Sequence, residues 1–476
     1  MLFPSEVFLF VFFPIVLVVY YALLRKTKTL KNIFLLAASL FFYAWGEPTY
    51  VFLMIVTILV NWIFGIYVDV FREKKAVVTV LFVLLVAVNI GTLGWFKYSE
   101  FTVLQINRFL HTNIPVPIVP LPIGISFYTF QAMSYVIDVY RRRGKVQKNP
   151  LQVGLYIALF PQLIAGPIVR YETIAEQIEH RTETFADFSA GVSRFCVGLG
   201  KKVLIANNMA VIADNAFGLI INHEFQASMG MAWLGAAAYT LQIFFDFSGY
   251  SDMAIGLGRM FGFYFLENFN FPYMSRTITE FWRRWHISLS SWFKEYVYIP
   301  LGGNRKGMKR QIFNIMVVWI LTGLWHGANW NFVLWGLYYG ILLMLEKLFL
   351  LKWLEKIPKW IGHVYSMVLV AVGWVIFAQT DMGMLGKYLK SMVGAGAVSV
   401  VDSDFFYLLS TNGVLLAALV ICSIDHRGWF NRIAWKMDKL EKIWAVGKPV
   451  TLFLLLTVSF AFLVGDSYNP FLYFRF

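Results

Sequence analysis

Four stretches of the chain, 6–24, 77–97, 361–380 and 449–465, are apolar runs close to the roughly 20 residues a helix needs to cross a bilayer. No other feature limits the fold so tightly. A segment in hydrocarbon has no water to satisfy its backbone, so each run must close its hydrogen bonds internally, as a helix. Such runs recur along the whole 476 residues, and no large soluble domain fits between them. Only 14% of the residues are charged, against about 25% in a soluble domain. At roughly 20 residues per span, about eleven to thirteen transmembrane or re-entrant helices are expected. The fold class is therefore an all-α polytopic membrane protein, embedded in the lipid bilayer.

The formal net charge is +14. A basic balance of that size can signal nucleic acid, but here the cations cluster in short loops between apolar runs, which is the positive-inside pattern. "RKTKTLK" (25–31), "FREKK" (71–75) and "RRRGKVQK" (141–148) are basic, whereas "GEPT" (46–49) and "HTNIPVP" (111–117) are poor in Lys and Arg. Their alternation puts the basic loops in the cytoplasm and the N-terminus outside. "NRKGMKR" (304–310) and residues 427–448 also read as cytoplasmic. The run 449–465 then crosses outward, and the tail "GDSYNPFLYFRF" is expected at the outer face. The first run has no basic n-region and no small-residue cleavage site, so it reads as a retained helix. Two cysteines, Cys196 and Cys422, give neither a disulfide framework nor metal-ligand spacing.

The middle of the chain is less regular. "YIALFPQLIAGPIVRYE" (156–172) is apolar but broken by Pro161, Gly166 and Pro167. Irregular backbone at membrane depth survives only when buried in protein or lining a wet cavity, so this segment reads as re-entrant. "TITEFWRRWHISLSSWFKEYVYIPLGGNRKG" (277–307) mixes Arg, Lys and Glu with many aromatics and reads as an interfacial, amphipathic helix on the cytoplasmic side. No internal repeat is visible, which weakens an inverted-repeat transporter.

One histidine stands inside an apolar run, in "LTGLWHGANWNFVLWG" (321–336). Basic residues flank the run at both ends, Arg310 before it and Lys352 and Lys356 after it. From Ile312 to His326 a helix rises only about 22 Å, less than the roughly 30 Å of hydrocarbon. If both flanks are cytoplasmic, the chain turns back near Gly327 to Asn331 and His326 lies deep in the membrane. Such a residue is either a core histidine bonded to a neighbouring helix or a functional group. Gly323 and Gly327 beside it permit close approach of backbone or ligand. Asn329 and Asn331 need polar partners in lipid. An imidazole also serves as a general base near neutral pH without a large shift.

His286, in "FWRRWHISLSSWFKEY", is a second candidate, although a polar side chain at an interface needs no special role. Arg283 and Arg284 beside it could hold an anionic acyl donor, such as a CoA pyrophosphate, or lipid head groups. In "LQIFFDFSGYSDMAIGLGRMFG" (241–262), Asp246 and Asp252 are six residues apart and so fall on different helix faces. Hydrogen bonding across helices fits them better than a shared-proton acid pair. The elbow, phosphate-loop, zincin and dinucleotide motifs are absent from the sequence, and its histidines lack metal-ligand spacing.

The set "LPIGISFYTFQAMSYVIDVYR" (121–141), "FPQLIAGPIVRYE" (160–172), "FFDFSGYSDMAIG" (244–256), "FWRRWHISLSSWFKEYVYIPLGGNRKG" (281–307) and "LTGLWHGANWNFVLWG" resembles the membrane-bound O-acyltransferase (MBOAT) family across essentially the whole chain. Its bacterial alginate and peptidoglycan O-acetylation branch is the nearest in pattern, with teichoic acid D-alanyl transfer proteins as cousins. The resemblance implies one membrane-embedded domain over residues 1–476. Helices at 1–120 would precede a catalytic core at 121–350, and 351–476 would carry the C-terminal helices and an aromatic tail. It implies a ring of helices around a cross-membrane tunnel, His326 of "WHG" as the catalytic histidine and His286 as a second functional residue. The ending "NPFLYFRF" also resembles that of this branch. Tyr473 there is either an aromatic anchor at the interface or a phenol that relays an acyl group outward.

The function these resemblances imply is transfer of an acetyl group from a cytoplasmic thioester, acetyl-CoA, to the outer face of the cell membrane. No bound cofactor or metal is expected. A separate extracytoplasmic transferase with a serine nucleophile, of the SGNH kind, would then esterify an exported or cell-wall polysaccharide. D-alanyl transfer from a carrier protein, a small-solute transporter with His326 as proton relay, and a structural scaffold remain the alternatives.

Overall fold

A computed structural model of the chain describes residues 1–24, 27–222, 228–397, 399–425, 438–465 and 472. Among these there are helices and connecting segments but no strand. The helices used below are α1 (Val7–Leu23), α2 (Lys28–Ala44), α3 (Tyr50–Val70), α4 (Lys75–Leu110), α5 (Ile125–Tyr140), α6 (Pro150–Ala158) and α7 (Tyr171–His180). They continue with α8 (Phe185–Gly200), α9 (Asn207–Asn222), α10 (Met229–Met260), α11 (Ile278–Arg284), α12 (Ile287–Phe293), α13 (Met308–His326), α14 (Trp330–Leu354) and α15 (Lys359–Ala378). The last are α16 (Met382–Met392), α17 (Ser403–Cys422) and α18 (Asp438–Gly465).

Seven stretches of the described residues are long and apolar enough to span a bilayer. They include α3, α4, α14, α15, α17 and the Gly447–Gly465 part of α18, and α1 is a shorter apolar helix. The apolar runs read from the sequence all fall on these helices. The protein is a multi-pass, all-helical membrane protein. Seven is below the expected eleven to thirteen because other segments are shorter or more polar. The 16-residue α5 is one such segment, and α13 opens with Lys309, Arg310 and Gln311.

The chain forms two compact units, Met1–Phe195 with Tyr250–Leu266, and Cys196–Gly249 with Glu267–Phe476. In the first, Asn61 of α3 and Asn89 of α4 exchange side-chain hydrogen bonds at 3.0 and 3.1 Å. Paired amides of this kind join helices where lipid offers no partner. The broken segment after α6 is buried throughout residues 159–169, as its irregular backbone requires. Its Phe160 N–H donates to Ser39 Oγ at 3.0 Å, and Tyr156 OH donates to Val169 O at 2.9 Å. Asp252 is paired with Arg194 at 2.8 Å.

The second unit holds both candidate histidines. α13 and α14 form a helical hairpin that turns back at Gly327–Asn329, where the length argument placed the turn. Asn329 caps α14 with its side chain. A Cβ on Gly323 would collide with Phe332 O on the facing helix, and one on Gly327 would collide with the Phe332 ring. The tight approach therefore needs glycine at both positions. Buried Asn331 finds its partners on α15, donating to Phe377 O at 2.9 Å and Ile376 O at 3.3 Å. These bonds fix the hairpin against α15.

Candidate active site

The segment 277–307 is not the single interfacial helix its composition led one to expect. It breaks into α11 and α12 at Trp285–His286, and His286 is 2% exposed. The N-terminus of α11 is tied down by a residue far away in sequence. Glu346, buried on α14, accepts from Ile278 N at 2.6 Å, Thr279 N at 2.8 Å and Thr279 Oγ1 at 2.6 Å. A carboxylate at this end satisfies N–H groups that the helix itself leaves unpaired.

The break is held by Asn268. His286 adopts a left-handed conformation (φ 44°, ψ 55°), which costs a non-glycine residue about 1–3 kcal/mol. Ile287 N donates to Asn268 O at 2.9 Å, and Asn270 N donates to Arg284 O at 2.9 Å. The Asn268 side chain does more. Its Oδ1 lies 3.0 Å from His286 Nδ1, 2.9 Å from Ser288 Oγ and 3.3 Å from Ser288 N. The Ser288 N–H can only donate, so the Asn268 atom at this point is its oxygen. His286 Nδ1 must then carry the proton, and Nε2 keeps its lone pair. Nε2 is buried and has no partner among the described residues. His286 lies outside the spanning helices, and burial pushes its imidazole down to about 3, so it is neutral at physiological pH.

His286, His326 and Arg283 line one cavity of about 320 Å³. Its walls are largely indole and phenyl, including Trp282, Trp319, Trp335, Trp374 and Phe377. The His326 ring packs edge-on to Trp335 (5.0 Å, 82°) and Phe377 (5.1 Å, 86°). His286 packs edge-on to Phe247 at 4.7 Å. A slender, largely apolar ligand suits such a volume. Arg284 is not on this wall. It pairs with Glu280 at 2.9 Å and donates to Asn270 O at 3.3 Å. Tyr473 lies outside the described residues, while its neighbour Leu472 lines the cavity.

A second cavity, of about 570 Å³, shares Thr279, Lys294, Tyr298, Ile315, Trp319 and Leu343 with the first. Around it stand Lys294, Arg305, Lys306 and Lys347, two of them from the basic loop read as cytoplasmic. Sequence reasoning recognised that loop as a topology signal and missed its place beside the site. It also missed Asn268 and Glu346, whose partners are far along the chain.

A multi-pass helical protein with two histidines on one apolar cavity has the architecture of an integral-membrane enzyme. The profile of "MBOAT, membrane-bound O-acyltransferase family" matches residues 142–358. The chain is 38% identical to the "Probable alginate O-acetylase AlgI" of Azotobacter vinelandii, with 100% of both chains covered. It is 40% identical to the protein of the same name from Pseudomonas putida, again over 100% of both. It is 31% identical to the "Peptidoglycan O-acetyltransferase" of Helicobacter pylori, over 100% of this chain and 98% of that one. This chain therefore belongs to the membrane-bound O-acyltransferase family, and it is an acyltransferase.

Proposed function

We propose that the enzyme takes an acetyl group from cytoplasmic acetyl-CoA and delivers it to the outer face of the cell's inner membrane, for O-acetylation of an exported or cell-wall polysaccharide. The names of its relatives support alginate and peptidoglycan as the acceptor class. The observation that carries the reading is the pairing of His326 and His286 on one narrow apolar cavity beside a second cavity rimmed by cations. Arg283, with Lys294, Arg305, Lys306 and Lys347, holds the phosphates of the donor. His326 takes the proton of the accepting hydroxyl. That oxygen attacks the thioester carbonyl, the C–S bond breaks, and the thiolate leaves with the proton. His286, with its Nε2 lone pair, orients the hydroxyl.

Tyr473 is the accepting hydroxyl in this reading, and its acetyl ester is passed to a separate serine-nucleophile transferase outside. Both termini are extracytoplasmic. The test uses the purified chain in nanodiscs with labelled acetyl-CoA. Wild type is expected to release CoA, and His326→Ala to lose at least about 100-fold in rate. Tyr473→Phe is expected to abolish label on the protein. Wild type that cleaves no acetyl-CoA, but turns over a D-alanyl carrier protein, would replace the donor assignment with the carrier.

A further inference from the structure

Asp246 of α10 lies on the wall of the histidine cavity, and the mechanism above leaves it unused. It is 2% exposed and pairs with Lys202, itself 1% exposed, at 2.8 Å (Oδ1 to Nζ). Lys202 also donates to Asn207 Oδ1 at 2.9 Å. A buried ion pair is weak evidence of stabilisation, because its desolvation offsets the Coulomb gain. Its other oxygen shows a more specific use. Asp246 Oδ2 accepts the backbone N–H of Leu472 at 2.9 Å. Leu472 is 4% exposed and lines the same cavity. It lies 226 residues away in sequence, in the C-terminal tail.

We propose that Asp246, held by Lys202, is a positioning residue that grips the backbone N–H of Leu472 and holds that residue in the cavity wall. The chemistry requires a carboxylate. Donors stand on both of its oxygens, an ammonium on one and an N–H on the other, and an amide would meet one of them with its own NH₂. Because the grip is on a main-chain N–H, it does not read the side chain at 472. It fixes Leu472 at the cavity, and Tyr473 is the next residue in sequence. The importance of this grip for turnover rests on the acyl-transfer reading of the cavity.

The test separates the N–H from the side chain. Leu472→Pro removes the donor, whereas Leu472→Ala keeps it. A spin label is placed at Phe476→Cys in a Cys422→Ser background, since Cys196 is buried. The spectrum is expected to be immobilised in the parent and in Leu472→Ala, and mobile in Leu472→Pro and Asp246→Asn. Transfer of acetyl to an external acceptor is expected to fall at least about tenfold in Leu472→Pro, in kcat with the donor KM unchanged. Combining Leu472→Pro with Asp246→Asn is expected to be no worse than Asp246→Asn alone, since that variant already cuts the Leu472 bond along with the Lys202 pair. Asp246→Asn strands Lys202 and risks misfolding. Leu472→Pro leaves the ion pair intact and decides the matter alone. An immobilised label with normal turnover in Leu472→Pro overturns the proposal, as does full additivity of the two variants. If the label behaves as expected but the parent cleaves no thioester, the latch stands and the acyl-transfer reading falls.

Discussion

The Asn268–His286 contact makes a prediction whose sign and size follow from the geometry. Asn268 Oδ1 serves three donors within 3.3 Å, and one of them fixes the His286 tautomer. Asn268→Ala removes that acceptor and lets the proton move to Nε2. The lost bond is worth about 0.5–1.5 kcal/mol net, so turnover is expected to fall by up to about tenfold. Asn268→Asp acts differently. A carboxylate beside Nδ1 stabilises the imidazolium and raises the histidine from its depressed value of about 3. The wild type should then show no titration of His286 between about pH 5 and about pH 9, whereas Asn268→Asp should gain an acidic limb. Its rate at about pH 5 should drop by up to about tenfold relative to about pH 8, because the neutral fraction shrinks. The assay is single-turnover CoA release from labelled acetyl-CoA in nanodiscs across that range. A flat profile for Asn268→Asp together with wild-type turnover in Asn268→Ala would refute the role given to His286 Nε2.

Other substitutions test the frame and the donor site. Gly323→Ala places a methyl group against Phe332 O, so the α13–α14 hairpin should be destabilised by about 1–3 kcal/mol or more, read as a lower melting temperature in detergent. Glu346→Gln exchanges a charged acceptor of four donors for a neutral one that can serve fewer of them, and should cost about 1.5–3 kcal/mol on the same assay, while Glu346→Asp should recover part of the loss. Arg283→Ala and charge removal at Arg305 and Lys306 should raise the KM for acetyl-CoA, more at low salt than at high, whereas Arg284→Ala should leave that KM nearly unchanged.

The place of the turn after His326 could be read from the sequence because it reduces to arithmetic. Fifteen residues from Ile312 to His326 are too few to cross, so the chain had to turn near "GANWN", and it does. The buried course of the Pro161–Pro167 segment followed equally from where unpaired backbone can survive. What stayed hidden depends on partners distant in sequence. Nothing in "FWRRWHISLSS" announces a helix break, because the bonds that hold it come from Asn268, 18 residues upstream. Asp246 was rightly read as bonding across helices, but neither Lys202 nor Leu472 could be named from pattern. Arg283 and Arg284 were paired as donor ligands, yet neighbours on a helix point about 100° apart. Arg283 lines the cavity, whereas Glu280, four residues before Arg284, takes that side chain.

The polar groups of the second unit are sorted in a way that bears on direction. Its first cavity is walled by indoles, where a charge is costly and an oriented lone pair is strong. Asp246 on its wall is neutralised by Lys202. The second cavity adds Arg305, Lys306 and Lys347 to Lys294, which it shares with the first. In the proposed reaction, a thiolate formed between the two is drawn toward the cations, while an uncharged acyl group loses nothing by remaining among the aromatics. The same asymmetry would hold the donor's phosphates at one end while its thioester reaches the histidines. Reversing the charge of Lys347 and Lys306 together should therefore slow donor cleavage at the step where thiolate departs, beyond any loss of affinity. A drop in kcat that persists at saturating acetyl-CoA would bear this out. A change confined to KM would reduce the cations to a docking role.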